Sequence, residues 1–440
     1  MSLGLSSCNW NYLTQHEAET HPDHSDPSLR TKTYALPYET CFTTLLDLLN
    51  HLPRWRVVRH DLQTGEITAE RRTRTFHFID DVQIRIIKTG QDTSTIHLRS
   101  VSRVGKGDFG QNARNIREVL EGLDRRIDDI LTAPLFSGDS FSSDRLFSHV
   151  HTLSTEIGER HFARPTAFEQ AADYIAAQFQ QAGFETQFEA FEIKDPPLLT
   201  ELRANREEKN TLKTLQYKNV IAIKKGENEE IIVVGAHYDT VMGSPGADDN
   251  ASGVAVLLES ARLLRDIPLK KTILFAAFAN EEAPFFRTSA MGSAQFLKMH
   301  PKALISFMIS LEMLGYFSDT PGSQRYPPFL KYFYPDRANF IAVVGNLGSQ
   351  RFVNTVAETF REKTTIPVEA LSAPRMVPGV DFSDQLNFWK AGIPAVMVTD
   401  TAFNRNPHYH TAFDLPQTLN YEKMAEVTKG IVATLLRMGR

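Results

Sequence analysis

The spacing of apolar and polar positions changes character once along the 440-residue chain. In the first part, YETCFTTLLDLLNHL, beginning at Tyr38, repeats apolar residues at helical spacing. After it WRVVRH, GEITAER, VQIRII and STIHLRS alternate or are β-branched, separated by turn signals such as QTG and KTGQD. That order predicts a helix followed by an antiparallel meander. QNARNIREVLEGLDRRI then places Ile116, Leu120, Leu123 and Ile127 on one helical face, which can cover one side of such a sheet. Residues 1–131 therefore read as a small α+β domain. Residues 132–144, rich in Ser, Gly, Pro and Asp, read as a linker.

Over residues 145–440 strand and helix patterns alternate. IIVVGAH, KTILFAAFA, LISFMISLEML, NFIAVVG and PAVMVTD have the continuous apolar texture of strands buried on both faces. Between and around them TAFEQAADYIAAQFQQAG, NASGVAVLLESARLLR, SAMGSAQFLKMH, QLNFWKAG and YEKMAEVTKGIVATLL carry helical periodicity. The expected fold class is α/β, a mostly parallel mixed sheet with helices on both faces. In such sheets chemistry collects at the carboxyl ends of the strands. The apolar run Ile273–Ala279 is far short of the ~20 residues that span a bilayer, so no membrane role is expected.

Charge and composition narrow the picture. A net charge of −5 disfavours binding to a phosphate backbone, and the Arg-rich RRTRTFHF stretch lies in a region, residues 1–130, with 17 basic against 18 acidic side chains. No nucleic-acid partner is expected. Two cysteines, Cys8 and Cys41, are too few for a disulfide framework, and the N-terminus lacks the apolar core of a signal peptide, which points to the cytoplasm. GKGDFG, ending at Gly110, satisfies a G-x-G-x-x-G pattern. The strands before it are hairpin-linked, and Asp108 puts a carboxylate where a pyrophosphate needs donors, so it reads as a glycine-rich turn.

The chemistry-bearing residues cluster at βα junctions. His237 and Asp239 end the IIVVGAHYD stretch, Asp248 and Asp249 open the following helix, and Glu281 and Glu282 follow KTILFAAFAN. Glu312 ends LISFMISLE, and His410 lies just beyond PAVMVTD. Each alone is an ordinary helix cap or salt-bridge partner, Asp249 being well suited to an N-cap. Together, at the same edge of several strands, they point to a metal centre. Imidazole and carboxylate without thiolate suit catalytic zinc, and five ligands divide over two ions when one carboxylate bridges.

GAHYDT, GADDNASG, NEE followed by MGS, SLEMLGY and YHTAFD resemble the motifs of metallopeptidase family 28, over roughly residues 145–440. The resemblance implies two zinc ions, one held by His237, Asp249 and Glu312 and the other by Asp249, Glu282 and His410. It further implies Glu281 as general base, Asp239 as the carboxylate that orients His237, and hydrolysis of a terminal peptide bond by a water bridging the two ions. Residues 10–130 are similar to domain of unknown function 1499, which brings no activity. Departures from the family pattern include Glu312 where many members have Asp, Gln385 where they often have His, and no Tyr near Val380 for the oxyanion.

Two other readings compete: a mono-zinc glutaminyl cyclase-like enzyme, against which the intact GADDNASG speaks, and an inert peptidase-like binding scaffold, against which the complete donor set speaks. The acidic lining from Glu282 and Glu312 favours a substrate with a free α-amino group, hence an aminopeptidase. A carboxypeptidase needs an arginine clamp, for which Arg405 and Arg375 are the candidates. Phe285, Phe286, Phe382 and Trp389 are candidates for a side-chain pocket, though aromatics near helices are commonly core. Oligomeric state is left open.

Overall fold

The computed structural model describes residues 16–74, 77–104, 110–137, 140–194, 214–326 and 330–440. These form two compact units, Met1–Gly138 and Asp139–Arg440. Cys8 and residues 105–109 of the glycine motif lie outside the described residues.

In the first unit, β1 (Glu17–Glu19), β2 (Lys32–Tyr34), β3 (Trp55–Asp61), β4 (Glu66–Arg72), β5 (Ile79–Lys88) and β6 (Ser94–Ser102) form an antiparallel sheet in the order β1-β6-β5-β4-β3, with β2 also on β6. Alternate residues such as Ile67, Ala69, Val82, Ile84, Ile96 and Leu98 turn to one face. There they meet Phe42, Leu45 and Leu49 of α1 (Tyr38–His51) and Ile116, Leu120 and Leu123 of α2 (Gln111–Phe136). The period-2 pattern of the strands and the 3.6 period of the helices thus bury one shared apolar layer. Cys41 lies in that layer as a free thiol, pushed up to about 11 by burial. The α+β reading of this region matches the structure.

The expected linker needs correction at both ends. Thr132–Phe136 continue α2, with Pro134 inside it, and Ser143 already starts α3 (Ser143–His151). A proline in the last turn removes one hydrogen bond without stopping a helix that is about to end.

The second unit is an eight-stranded mixed sheet. Its strands are β7 (Glu185–Lys194), β8 (Thr214–Lys224), β9 (Ile231–His237), β10 (Thr272–Phe278), β11 (Ile305–Glu312), β12 (Ile341–Gly345), β13 (Val368–Ser372) and β14 (Ala395–Thr399). They run in the order β13-β12-β14-β11-β9-β10-β8-β7. The central strands β14, β11, β9 and β10 are mutually parallel. Besides α3, its helices are α4 (Pro165–Gln181), α5 (Gly253–Leu264), α6 (Gly292–Met299), α7 (Gln350–Lys363), α8 (Gln385–Lys390) and α9 (Tyr421–Gly439). Successive residues Val233 and Val234 are both fully buried, which requires cover on both faces and explains the unbroken apolar texture of β9. Among the described residues no helix is long and apolar enough to cross a membrane.

Sequence periodicity missed the antiparallel hairpin β7–β8, as well as α7 and β13. β7, ETQFEAFEIK, alternates charged and apolar residues as a solvent-facing edge strand does, unlike its buried neighbours.

One buried ion cluster ties the helices of this unit together. Glu259 on α5 accepts from Arg145 Nε at 2.9 Å and Arg262 Nε at 2.9 Å, with His149 Nε2 at 3.3 Å. Burial raises its pKa, but the hydrogen bonds from His149 and Arg262 outweigh burial and bring it from 4.5 down to about 2. Its stabilising contribution is full above pH 4.5 and is lost as the pH falls towards 2. Glu259→Gln should therefore destabilise the chain by about 3 kcal/mol at pH 7, with the deficit shrinking at acid pH. Urea titrations at pH 7 and pH 3.5 measure this, and a deficit that does not change with pH refutes it.

Candidate metal centre

The parallel strands deliver the site. β9 ends at His237, β11 ends at Glu312, and the turn after β10 carries Glu281 and Glu282. Asp249 sits in the turn Ala247–Ser252 that leads into α5, where the chain leaves helical geometry (φ −104°, ψ 88°). This loop is tight: Gly246 has φ 64°, and a Cβ there would lie 2.3 Å from the Asp249 carbonyl oxygen. His410 is on the loop after β14, its ring stacked on Tyr409 with centroids 3.7 Å apart.

Asp249 is the centre of the arrangement. Its Oδ1 lies 3.3 Å from His237 Nε2 and its Oδ2 lies 3.1 Å from His410 Nε2. His237 Nε2 is also 3.4 Å from Glu312 Oε2, and His410 Nε2 is 3.3 Å from Glu282 Oε1. Two sets of three donors result, His237–Asp249–Glu312 and Asp249–Glu282–His410, the atoms within each set lying within 4.8 Å of one another. Glu281 stands beside them, its Oε2 4.0 Å from His237 Nε2. The five expected ligands and the expected base are thus brought together.

The electrostatics are those of a pit short of positive charge. Burial, with Asp249 adding to it, pushes Glu282 up to about 7. Burial and the neighbouring Glu282 and Glu312 raise Glu281 well above the usual carboxylate range against the pull of His237. Against the downward pull of burial, Asp249 and Glu282 push His410 up to about 10, while Glu312, Asp239 and Asp249 hold His237 well above its ordinary value. Glu282 Oε1, although near His410, has no hydrogen-bond partner among the described residues. An orphaned buried carboxylate oxygen in a set of imidazole and carboxylate donors fits divalent cations such as zinc.

Several side chains that hold this geometry were not legible as functional. Asp414 accepts the N–H groups of Asp248 at 2.9 Å and Asp249 at 3.1 Å, fixing the bridging loop. Ser383 donates to Glu312 Oε2 at 2.5 Å. Asn250 donates to Leu311 O at 2.8 Å and accepts from Met313 N–H at 3.1 Å, tying the loop to the end of β11. Arg160, fully buried, donates to the carbonyls of Tyr238, Leu153, Gly158, Pro245 and Gly246. Acids at YHTAFD and DFSD carried a signal only in retrospect, and Arg160 lies in no motif.

Asp239 serves a second set of partners, and Arg405 does not take the role expected of it. Asp239 spends its two carboxylate oxygens on the N–H groups of Glu281 and Glu282, each at 3.0 Å. Its carboxylate also lies 3.5 Å from His237 Nδ1, and its carbonyl lies 3.2 Å from the same nitrogen. Asp249 caps no helix with its side chain. Arg405 is buried and not a surface clamp: it donates to Gln324 Oε1 at 2.9 Å and Phe340 O at 2.8 Å, its cation over the Phe340 ring. Arg375 is half exposed, 3.7 Å from Asp381, which Arg287 also holds at 2.5 Å.

Beside Glu312 opens an apolar cavity of about 110 Å³ lined by Phe382, Val380, Met397, Phe403 and Tyr409 among others. Phe382 is the only one of the four expected pocket aromatics on its wall; Phe285 and Trp389 are core. Phe286 packs edge-on against Phe382 from outside.

Imidazoles and carboxylates gathered at the carboxyl edge of a mixed α/β sheet form a candidate metal centre. Residues 219–435 match the model for peptidase family M28, and residues 6–123 match that for a protein of unknown function, DUF1499. The chain is 45% identical over 231 residues to an uncharacterized protein, YfbL, of Escherichia coli K12, an alignment covering 50% of this chain and 70% of that one. It is 24% identical over 359 residues to a probable leucine aminopeptidase of Arthroderma benhamiae, covering 76% of this chain and 83% of the relative. Its fold is similar to that of BSAP, a zinc aminopeptidase from Bacillus subtilis, with a TM-score of 0.52 and 19% identity over 68% of this chain and 95% of that one. The chain belongs to peptidase family M28.

Removing the loop anchor should loosen the metal without unfolding the sheet. Asp414→Asn, which leaves one loop N–H without its acceptor, is expected to weaken metal affinity by about 10- to 100-fold, read by chelator competition. Unchanged affinity excludes an anchoring role. Arg405→Met is expected to lower the denaturation midpoint and to leave the discrimination between free and amidated substrate carboxyl ends unchanged, read by comparing kcat/KM for the two; a selective loss on the free acid restores the clamp reading.

Proposed function

We propose that the chain is an aminopeptidase holding two zinc ions, His237, Asp249 and Glu312 around one and Asp249, Glu282 and His410 around the other. The observation that carries this is the placement of Asp249, one oxygen facing each histidine at 3.3 and 3.1 Å. Bound there, zinc supplies Lewis acidity and lowers the pKa of an associated water towards about 7.

Glu281 is the proton acceptor. Its N–H is pinned by Asp239 at 3.0 Å, and among the described residues no donor hydrogen-bonds its carboxylate, which leaves both oxygens available to take a proton and return it to the leaving amine. Its neighbour Glu282 points to the other donor set, so the NEE sequence separates base from ligand. The buried acids attract a substrate's α-amino group, and the cavity at Glu312 takes the side chain of the terminal residue. Among the described residues no Lys or Arg lines that cavity, which disfavours a carboxypeptidase.

Glu281→Gln should retain two zinc ions per chain by elemental analysis while kcat on aminoacyl reporters falls by about 10²- to 10⁴-fold. Full turnover in that variant refutes the base assignment. One zinc per wild-type chain points instead to cyclase-like chemistry, and none to a scaffold.

A further inference from the structure

The wall of the cavity opposite the metal centre holds a carboxylate that the hydrolytic chemistry does not use. Glu369 on the edge strand β13 lines the cavity, and of the described residues lining it only Glu312 and Glu369 carry formal charge. Strand register places them in one row across the sheet floor: Glu369 pairs with Ala342, Ala342 with Thr399, and Thr399 with Glu312. Paired residues share a face, and three strand spacings put the two glutamates roughly 14 Å apart. The floor between them is Thr399 next to Glu312 and then the apolar Ala342, flanked by Val344 and Met397.

The groups nearest Glu369 are committed elsewhere. Tyr334 donates its hydroxyl to Ala370 O at 3.0 Å and Tyr326 donates to Pro335 O at 2.5 Å. The Arg361 guanidinium donates to Val368 O at 3.0 Å and its charge acts on the Glu369 carboxyl without pairing with it, and Arg405 donates to Phe340 O at 2.8 Å. Among the described residues no cation lies within ion-pair distance of the Glu369 carboxylate. A half-buried anion on the wall of an aromatic cavity is a recognition element for a cation carried on an apolar stem.

We infer that this cavity selects an N-terminal lysine or arginine, the methylene stem lying over the apolar floor and the cationic head pairing with Glu369. The inference rests on the aminopeptidase reading. The site's length sets the choice of side chain: with the scissile bond at Glu312, only the longest cationic side chains extend towards Glu369. The stacked pair Tyr326 and Tyr334, ring centroids 5.9 Å apart, supplies aromatic faces beside the head group.

The test compares kcat/KM of the zinc-loaded chain for lysyl, arginyl, norleucyl and leucyl p-nitroanilides. The expected result is a preference of at least about tenfold for lysyl and arginyl over norleucyl, reduced by roughly 30- to 100-fold for the basic substrates in Glu369→Gln while leucyl turnover stays within about threefold. Retained leucyl activity shows that the variant is folded; Glu369→Asp, keeping the charge on a shorter arm, should show an intermediate loss. Calorimetry of lysinamide and norleucinamide with the wild-type chain should rank the two in the same order. If leucyl and norleucyl are cleaved as fast as lysyl and Glu369→Gln changes nothing, the inference fails while the aminopeptidase reading stands. If no aminoacyl substrate is hydrolysed, both fall.

Discussion

Buried carboxylates that repel one another set the terms for everything around the site. Asp239, Asp249, Glu281, Glu282, Glu312 and Asp384 are all nearly inaccessible to water, and desolvation raises the free energy of each charged form. Among the described residues, two histidines and the more distant guanidinium of Arg160 supply the positive charge that acts on them. Such a pit is unfavourable unless protons or cations are drawn in, and the carboxyl groups of Glu282 and Asp384, both pushed up to about 7, show how far the balance is shifted. A fold would not retain that arrangement for stability, because apolar residues of the same volume pack more favourably. The strain makes sense as a binding site for divalent ions.

Holding repelling groups in place requires supports that cost no flexibility. The structure uses main-chain N–H groups for this. Asp239 grips two successive amides at the end of β10, and Asp414 grips two successive amides at the entry to α5. Each carboxylate thereby acts as a clamp on a turn whose own side chains face the metal centre. Arg160 does the complementary task from below, satisfying five carbonyls of the surrounding loops with one cation, and burial lowers its pKa only to about 10 so that it stays charged. Ligand geometry is therefore set by backbone anchoring as much as by the ligands.

How much of this was legible follows from which signals are local. The candidate ligands could be read because His237 and Glu312 end hydrophobic strands and Glu282, Asp249 and His410 follow shortly after others: a polar residue after IIVVGA, ILFAAF or SFMISL interrupts a pattern, and parallel topology then gathers those interruptions at one edge. Arg405 was misread because sequence carries no depth; next to Asn and Pro it has the texture of a loop arginine, and only the tertiary fold shows it beneath Phe340. Arg160 and Asp414 were missed for the same reason, their partners being carbonyls and amides that any residue supplies. The β7–β8 pair escaped because charged residues alternate through it, and the linker was overdrawn because its Ser, Gly, Pro and Asp content extends over the last turn of one helix and the start of the next.

The separation between the metal ligands and Glu369 has a structural basis in the order of the sheet. The candidate ligands sit at the carboxyl ends of the central parallel strands β9, β10, β11 and β14 or on the loops that follow them, and those strands are buried on both faces and tolerate little change in volume. Glu369 comes from β13, at the far edge, whose residues are only partly buried and whose neighbour β12 runs antiparallel to β14. A substitution there alters the cavity wall without touching a ligand, an anchor or the packing between central strands. The same sheet thus fixes the chemistry in its middle and leaves side-chain selection to its margin, where exchanging one acid for an apolar residue changes what the cavity admits and leaves the reaction as it is.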